Sequence, residues 1–107
     1  MNSIEKQSIE EFSKKVKELL GDNLLEIKLY GSKVRGDDTQ ESDIDIMIVL
    51  KDKNPQIREK IADIAVDINL KYGIILALNI FSKYEYDKNM YFETPFIKNV
   101  LKQSINL

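Results

Sequence analysis

The sequence contains no cysteine and no histidine. That excludes disulfides, thiolate nucleophiles, imidazole bases and every zinc site built on those side chains, so any metal ion must sit on oxygen ligands. Tryptophan is absent as well. Proline and glycine are scarce, at 2 and 4 residues, and mark breaks between elements where they do occur. No stretch approaches the ~18 consecutive apolar residues of a membrane span, and the opening MNSIEKQSIEEF lacks the apolar run of a signal peptide. A cytoplasmic protein with no membrane partner is expected, in keeping with the missing cysteines. Neither charge sign dominates: 16 Lys and Arg stand against 18 Asp and Glu, a net of −2, which argues against wholesale electrostatic attraction to duplex nucleic acid but permits a local basic patch. What is present is 43% hydrophobic and 32% charged residues over 107 positions, enough for a modest core and for one domain spanning 1–107.

Ile9, Phe12, Val16, Leu19 and Leu20 recur at the spacing of an amphipathic helix, predicting a helix over Ser3–Leu20 stopped by Gly21. Leu24–Tyr30 alternates, with Leu25, Ile27 and Leu29 on one face and Glu26, Lys28 and Tyr30 on the other, the period of a strand. Ile44–Leu50 is apolar and β-branched almost throughout, as expected of a strand covered on both faces and central in its sheet. Asn54 and Pro55 read as the N-cap and first residue of a helix that runs to Tyr72 before Gly73, with Ile57, Ile61, Ile64, Ala65 and Ile68 on its apolar face. Ile74–Phe81 predicts a third strand, Lys83–Asn89 a short polar helix, and Pro95 opens a last helix carrying Phe96, Ile97, Val100 and Leu101. The fold class is therefore α/β (α+β), a small mixed sheet with helices packed on it.

The one long connection is GSKVRGDDTQESD, between the first two strands, and a long polar loop there points to function. Gly31 lets an anion approach the backbone, Ser32 offers a hydroxyl, Lys33–Gly36 can form a helical turn with its N–H groups facing back, and Lys33 or Arg35 can add positive charge. A plain Gly-Ser turn is the alternative. Asp43 and Asp45, at i and i+2 at the mouth of the central strand, share one face; two like charges there call for a cation, and Mg²⁺ held by two carboxylates and substrate phosphate oxygens meets that need. Otherwise Asp43 caps the loop after Ser42 and Asp45 pairs with Arg35.

Taken together, GSKVRG followed by SDIDIMIV resembles the signature of the minimal nucleotidyltransferases, small members of the DNA polymerase beta-like superfamily. The likeness is detailed from about Leu25 to Leu50 and extends through the element order of most of the rest, which implies a polymerase beta-like nucleotidyltransferase core. By this resemblance Gly31 and Ser32 bind the β and γ phosphates of ATP or another NTP. Asp43 and Asp45 hold two Mg²⁺ ions that align in-line attack on the α-phosphorus. An NMP group, AMP if the donor is ATP, then passes to a hydroxyl of a protein or nucleic acid, and pyrophosphate leaves.

The family usually carries a third carboxylate on a neighbouring strand. The third strand offers only Asn79, an amide with no charge and no capacity as a base; Glu26 is the other candidate, unless it is a solvated surface residue. Asp63 and Asp67, one turn apart, read as a solvated helix face. The family also includes antitoxins encoded beside a helical partner, which they modify with AMP or simply cover. An enzyme is thus expected, with a catalytically inactive binding module for a helical partner as the alternative. Tyr84, Tyr86, Met90, Tyr91, Phe92 and Phe96 form either an interface or the completion of a small core. RNA contact through Lys33, Arg35 and these aromatics is disfavoured by the acidic balance.

Overall fold

The computed structural model describes residues 1–36 and 43–107. Helix α1 spans Ser3–Leu20 and opens with a reciprocal cap: the Asn2 side chain accepts from the Glu5 N–H at 2.8 Å, and Glu5 Oε1 accepts from the Asn2 N–H at 3.0 Å. Strand β1, Leu24–Tyr30, follows a short 3-10 turn at Gly21–Asn23. A single-turn helix α2, Ser32–Arg35, comes next, then β2, Ile44–Leu50, and α3, Pro55–Tyr72, capped by the Asn54 side chain and closed by Gly73. Strand β3 occupies Leu76–Ser82, starting two residues later than the apolar run suggests, with Asn69 Oδ1 accepting from the Leu76 N–H at 3.0 Å where pairing begins. Helix α4 extends over Lys83–Tyr91, past its expected end at Asn89, and α5 covers Pro95–Lys102. The final element, β4 at Ile105–Asn106, escapes sequence reading because two residues are too short to show an alternation.

The sheet order is β3-β2-β1-β4. β2 lies between an antiparallel β1 and a parallel β3, with Tyr30 opposite Asp45 and Asp45 opposite Ala77, so the strand expected to be central is central. One face buries Ile44, Ile46, Ile48 and Leu50 against Phe12 and Val16 of α1 and Ile61 and Ile68 of α3. On the other face Met47 and Val49 pack with Ile97 and Val100 of α5. Two details of the apolar pattern differ from expectation. Leu19 is exposed, and an irregularity in the β1–β2 register between Leu24 and Glu26 sends Leu24 rather than Leu25 toward the core. The aromatic cluster divides: Tyr86 and Phe96 complete the second core, whereas Tyr84, Tyr91 and Phe92 stand exposed on α4 and just after it.

Candidate functional site

At the end of β1 the chain turns through Gly31, whose φ of 83° and ψ of −156° lie in a region essentially reserved for glycine. Its carbonyl accepts from the N–H groups of Val34 and Arg35, both at 3.1 Å, and Gly36 closes the turn by donating to the Ser32 carbonyl at 3.0 Å. Glycine is required here for a second reason. A Cβ on Gly31 would lie 2.2 Å from Asp45 Oδ2, so the carboxylate rests directly against the backbone of the turn. The strand register causes this approach, because it sets Asp45 beside Tyr30, the residue before Gly31.

Asp45 is half-buried and Asp43 is exposed just ahead of β2; Ser42, the residue Asp43 would follow as a cap, lies outside the described residues. Burial pushes the Asp45 carboxyl above its ordinary pKa, the negative charge of Asp43 pushes it further, and the positive charge of Arg35 opposes both. A half-buried carboxylate with a second carboxylate two residues away forms a donor set suited to a hard divalent cation, so these residues fit such an ion. Among the described residues, no group of three acidic side chains is gathered to hold one. Of the β3 residues on Asp45's face, Ala77 and Asn79 lie nearest to it in register, and the Asn79 amide donates to the Tyr30 hydroxyl. Glu26 lies opposite Val49, far along β1 from Asp45, where its charge helps raise the Tyr86 hydroxyl pKa behind the larger effect of burial. Asp63 and Asp67 are exposed on α3.

A cavity of about 540 Å³ opens over Gly31, a size typical of small-molecule sites. Gly31, Ser32, Arg35 and Asp45, all singled out from the sequence, line it together with Tyr30. Lys33 does not. Its Nζ pairs with Glu5, and both side chains are buried where α2 meets the first turn of α1. The expectation that Lys33 offers charge to a phosphate is thereby corrected, since a helical turn starting at Ser32 points this side chain back into the protein. The opposite wall was missed by sequence reading: Phe96, Asn99, Lys102 and Gln103, from α5 and its end. The polar members of that set look like any solvated helix face until the fold turns them toward Gly31.

A model of the nucleotidyltransferase domain family matches residues 9–105. A protein of Methanocaldococcus jannaschii named "putative protein adenylyltransferase" is 40% identical over 77 residues, which span 70% of this chain and 77% of that one. A second protein of the same organism and description is 32% identical over 99 residues, 92% of this chain and 93% of its own. Among solved structures, a toxin–antitoxin with AMP-PNP contains a chain similar to this one with a TM-score of 0.53 and 17% identity, covering 89% of this chain and 68% of that chain. A mutant of the toxin–antitoxin MntA-HpeT gives 0.54 and 21%, covering 92% and 70%. At those identities the likeness to solved structures is one of fold.

Proposed function

The chain belongs to the nucleotidyltransferase domain family, and from that premise we propose that it moves the AMP group of ATP onto a hydroxyl of an acceptor protein. The observation that carries this reading is the Asp45 carboxylate seated against Gly31 within one cavity, an arrangement that supports reading the first as a cation ligand and the second as part of a phosphate cradle. Gly31 leaves the backbone open to close approach by the β and γ phosphates, Ser32 offers its hydroxyl, and Arg35 contributes positive charge. Asp43 and Asp45 would hold Mg²⁺, which when bound neutralises triphosphate charge and the departing pyrophosphate. In the transfer, the acceptor oxygen forms a bond to the α-phosphorus, the bond from that phosphorus to the bridging oxygen breaks, and the acceptor proton is lost to solvent. Positioning and charge neutralisation dominate such reactions, so a chain without histidine is equipped for them. Lys33 serves by holding α2 rather than by touching phosphate.

We assign the acceptor to a partner protein of the toxin–antitoxin kind, supported by the descriptions of the fold neighbours. A nucleic acid acceptor is the weaker choice at a net charge of −2. The cytoplasm is the proposed setting; among the described residues no helix is long and apolar enough to cross a membrane. The test is incubation with α-labelled ATP, Mg²⁺ and the protein encoded beside this one. Label should enter the partner, and Asp43→Asn or Asp45→Asn should reduce it to background. A second reading, a module that covers the partner without modifying it, is favoured by the lack of a third carboxylate beside Asp43 and Asp45 among the described residues and by the exposed Tyr84, Tyr91 and Phe92. A complex that forms equally well with both Asn variants and never takes up label would establish it instead.

A further inference from the structure

The cavity has two walls, and the triphosphate and its cation account for only one of them. The other is a face of α5. Phe96 and Asn99 are one helical turn apart on α5, Gln103 closes the helix by donating its N–H to the Asn99 carbonyl at 3.3 Å, and Lys102 lines the cavity with them. The Phe96 ring is fixed in place, edge-on to Tyr30 at 5.3 Å between centroids and tilted against Phe81 at 5.4 Å, so α5 is held at a set distance from the Gly31 turn. Asn99, Lys102 and Gln103 are exposed. Each amide carries both a donor and an acceptor, and the aromatic ring adds an apolar surface.

The two walls differ in chemistry: this one carries an aromatic ring, two neutral amides and the Lys102 ammonium, whereas the other carries glycine backbone, the Ser32 hydroxyl, the Asp45 carboxylate and the Arg35 guanidinium beside the Tyr30 ring. A nucleotide has the same two-part character, with a flat apolar base and its hydrogen-bonding edge at one end and phosphates at the other. About 540 Å³ accommodates the whole molecule and not its phosphates alone. We propose that this α5 face is the nucleoside subsite, with Phe96 against the base, the Asn99 and Gln103 amides on the base edge or ribose hydroxyls, and Lys102 reaching the phosphates. The proposal rests on the nucleotidyl-transfer reading and extends it to the residues that select the nucleoside.

Calorimetric binding of a nonhydrolysable ATP analogue and of inorganic tripolyphosphate, each with Mg²⁺, tests both levels separately. The wild-type chain should bind both. Asn99→Ala with Gln103→Ala should weaken the analogue about tenfold or more, as expected for two lost hydrogen bonds, and leave tripolyphosphate affinity unchanged. Lys102→Ala should weaken both ligands. All three side chains are exposed, so unchanged thermal midpoints are expected and would certify the fold. Wild-type affinity for the analogue in the double variant overturns the subsite while leaving nucleotidyl transfer standing. Equal loss of both ligands overturns it as well, and so does intact ATP binding with lost labelling of the partner, which would make α5 an acceptor surface. If the wild-type chain binds neither ligand, the nucleotidyl-transfer reading falls and the subsite falls with it.

Discussion

Gly31 joins a backbone constraint and a chemical one at a single residue. Its φ of 83° disfavours every side chain, and any Cβ would meet Asp45 Oδ2 at 2.2 Å. Gly31→Ala should lower stability by about 1–3 kcal/mol from the backbone conformation alone and push the carboxylate out of place. Urea denaturation and an ATP titration on the same variant would check this; wild-type values in both would show that Asp45 is not held by the turn. The Asp45 carboxyl itself should titrate above the usual carboxylate range, because burial and then Asp43 disfavour its charge. A raised carboxyl pKa means the folded chain binds the proton more tightly than the unfolded one. Asp45 therefore costs stability above its unfolded pKa, and the cost is relieved as pH falls through the folded value. Carboxyl NMR on Asp43→Asn should show a partial return toward normal, since the larger cause, burial, remains.

At the scale of elements, the α1–α2 contact depends on Glu5. One of its carboxylate oxygens caps α1 by accepting from the Asn2 N–H, and the other pairs with Lys33. Burial acts to raise the Glu5 pKa, but the Lys33 hydrogen bond, the backbone bond to Asn2 and the Lys33 charge outweigh it and hold the carboxyl below its ordinary range. Glu5→Ala removes the cap acceptor of α1 and one charged partner of the Lys33 ammonium, whose side chain has 0% exposure, and should cost about 1–3 kcal/mol in chemical denaturation. Glu5→Gln keeps a cap acceptor and removes only the charge, so it should fall between that variant and the wild type. Because α2 is the turn that presents Ser32 and Arg35, this ion pair links the start of the chain to the cavity. The β3 strand shows the reverse case: its register places Ala77 beside Asp45, so a neighbour well positioned to carry a carboxylate carries none.

Across the whole molecule, Glu11 and Glu85 join Glu5 below the ordinary carboxylate value of 4.5, through hydrogen bonds from Lys71 and Lys53 respectively. Lowered folded pKa values contribute stability above the unfolded pKa that is lost as pH falls through the folded ones, so the three act in one sense and Asp45 in the other. The urea midpoint should drop between about pH 5 and pH 3, and added salt should remove more of the exposed Glu11–Lys71 contribution than of the buried Glu5–Lys33 one. An acid-insensitive midpoint would contradict these pairings. The sequence by itself determined the order and type of nearly every element, because burying one face imposes a period that short-range reading detects: Ile44–Leu50 is as apolar and as central as its composition demands. It also singled out Gly31, Ser32, Arg35, Asp43 and Asp45, since glycine freedom and paired charge are legible locally. Only the tertiary structure decided that Lys33 turns inward to Glu5, that Glu26 lies away from Asp45, that Ile105–Asn106 joins the sheet, and that α5 directs Asn99 and Gln103 toward the Gly31 turn. Strand register and helix packing bring together residues distant in the chain, and those pairings leave no period in the local sequence.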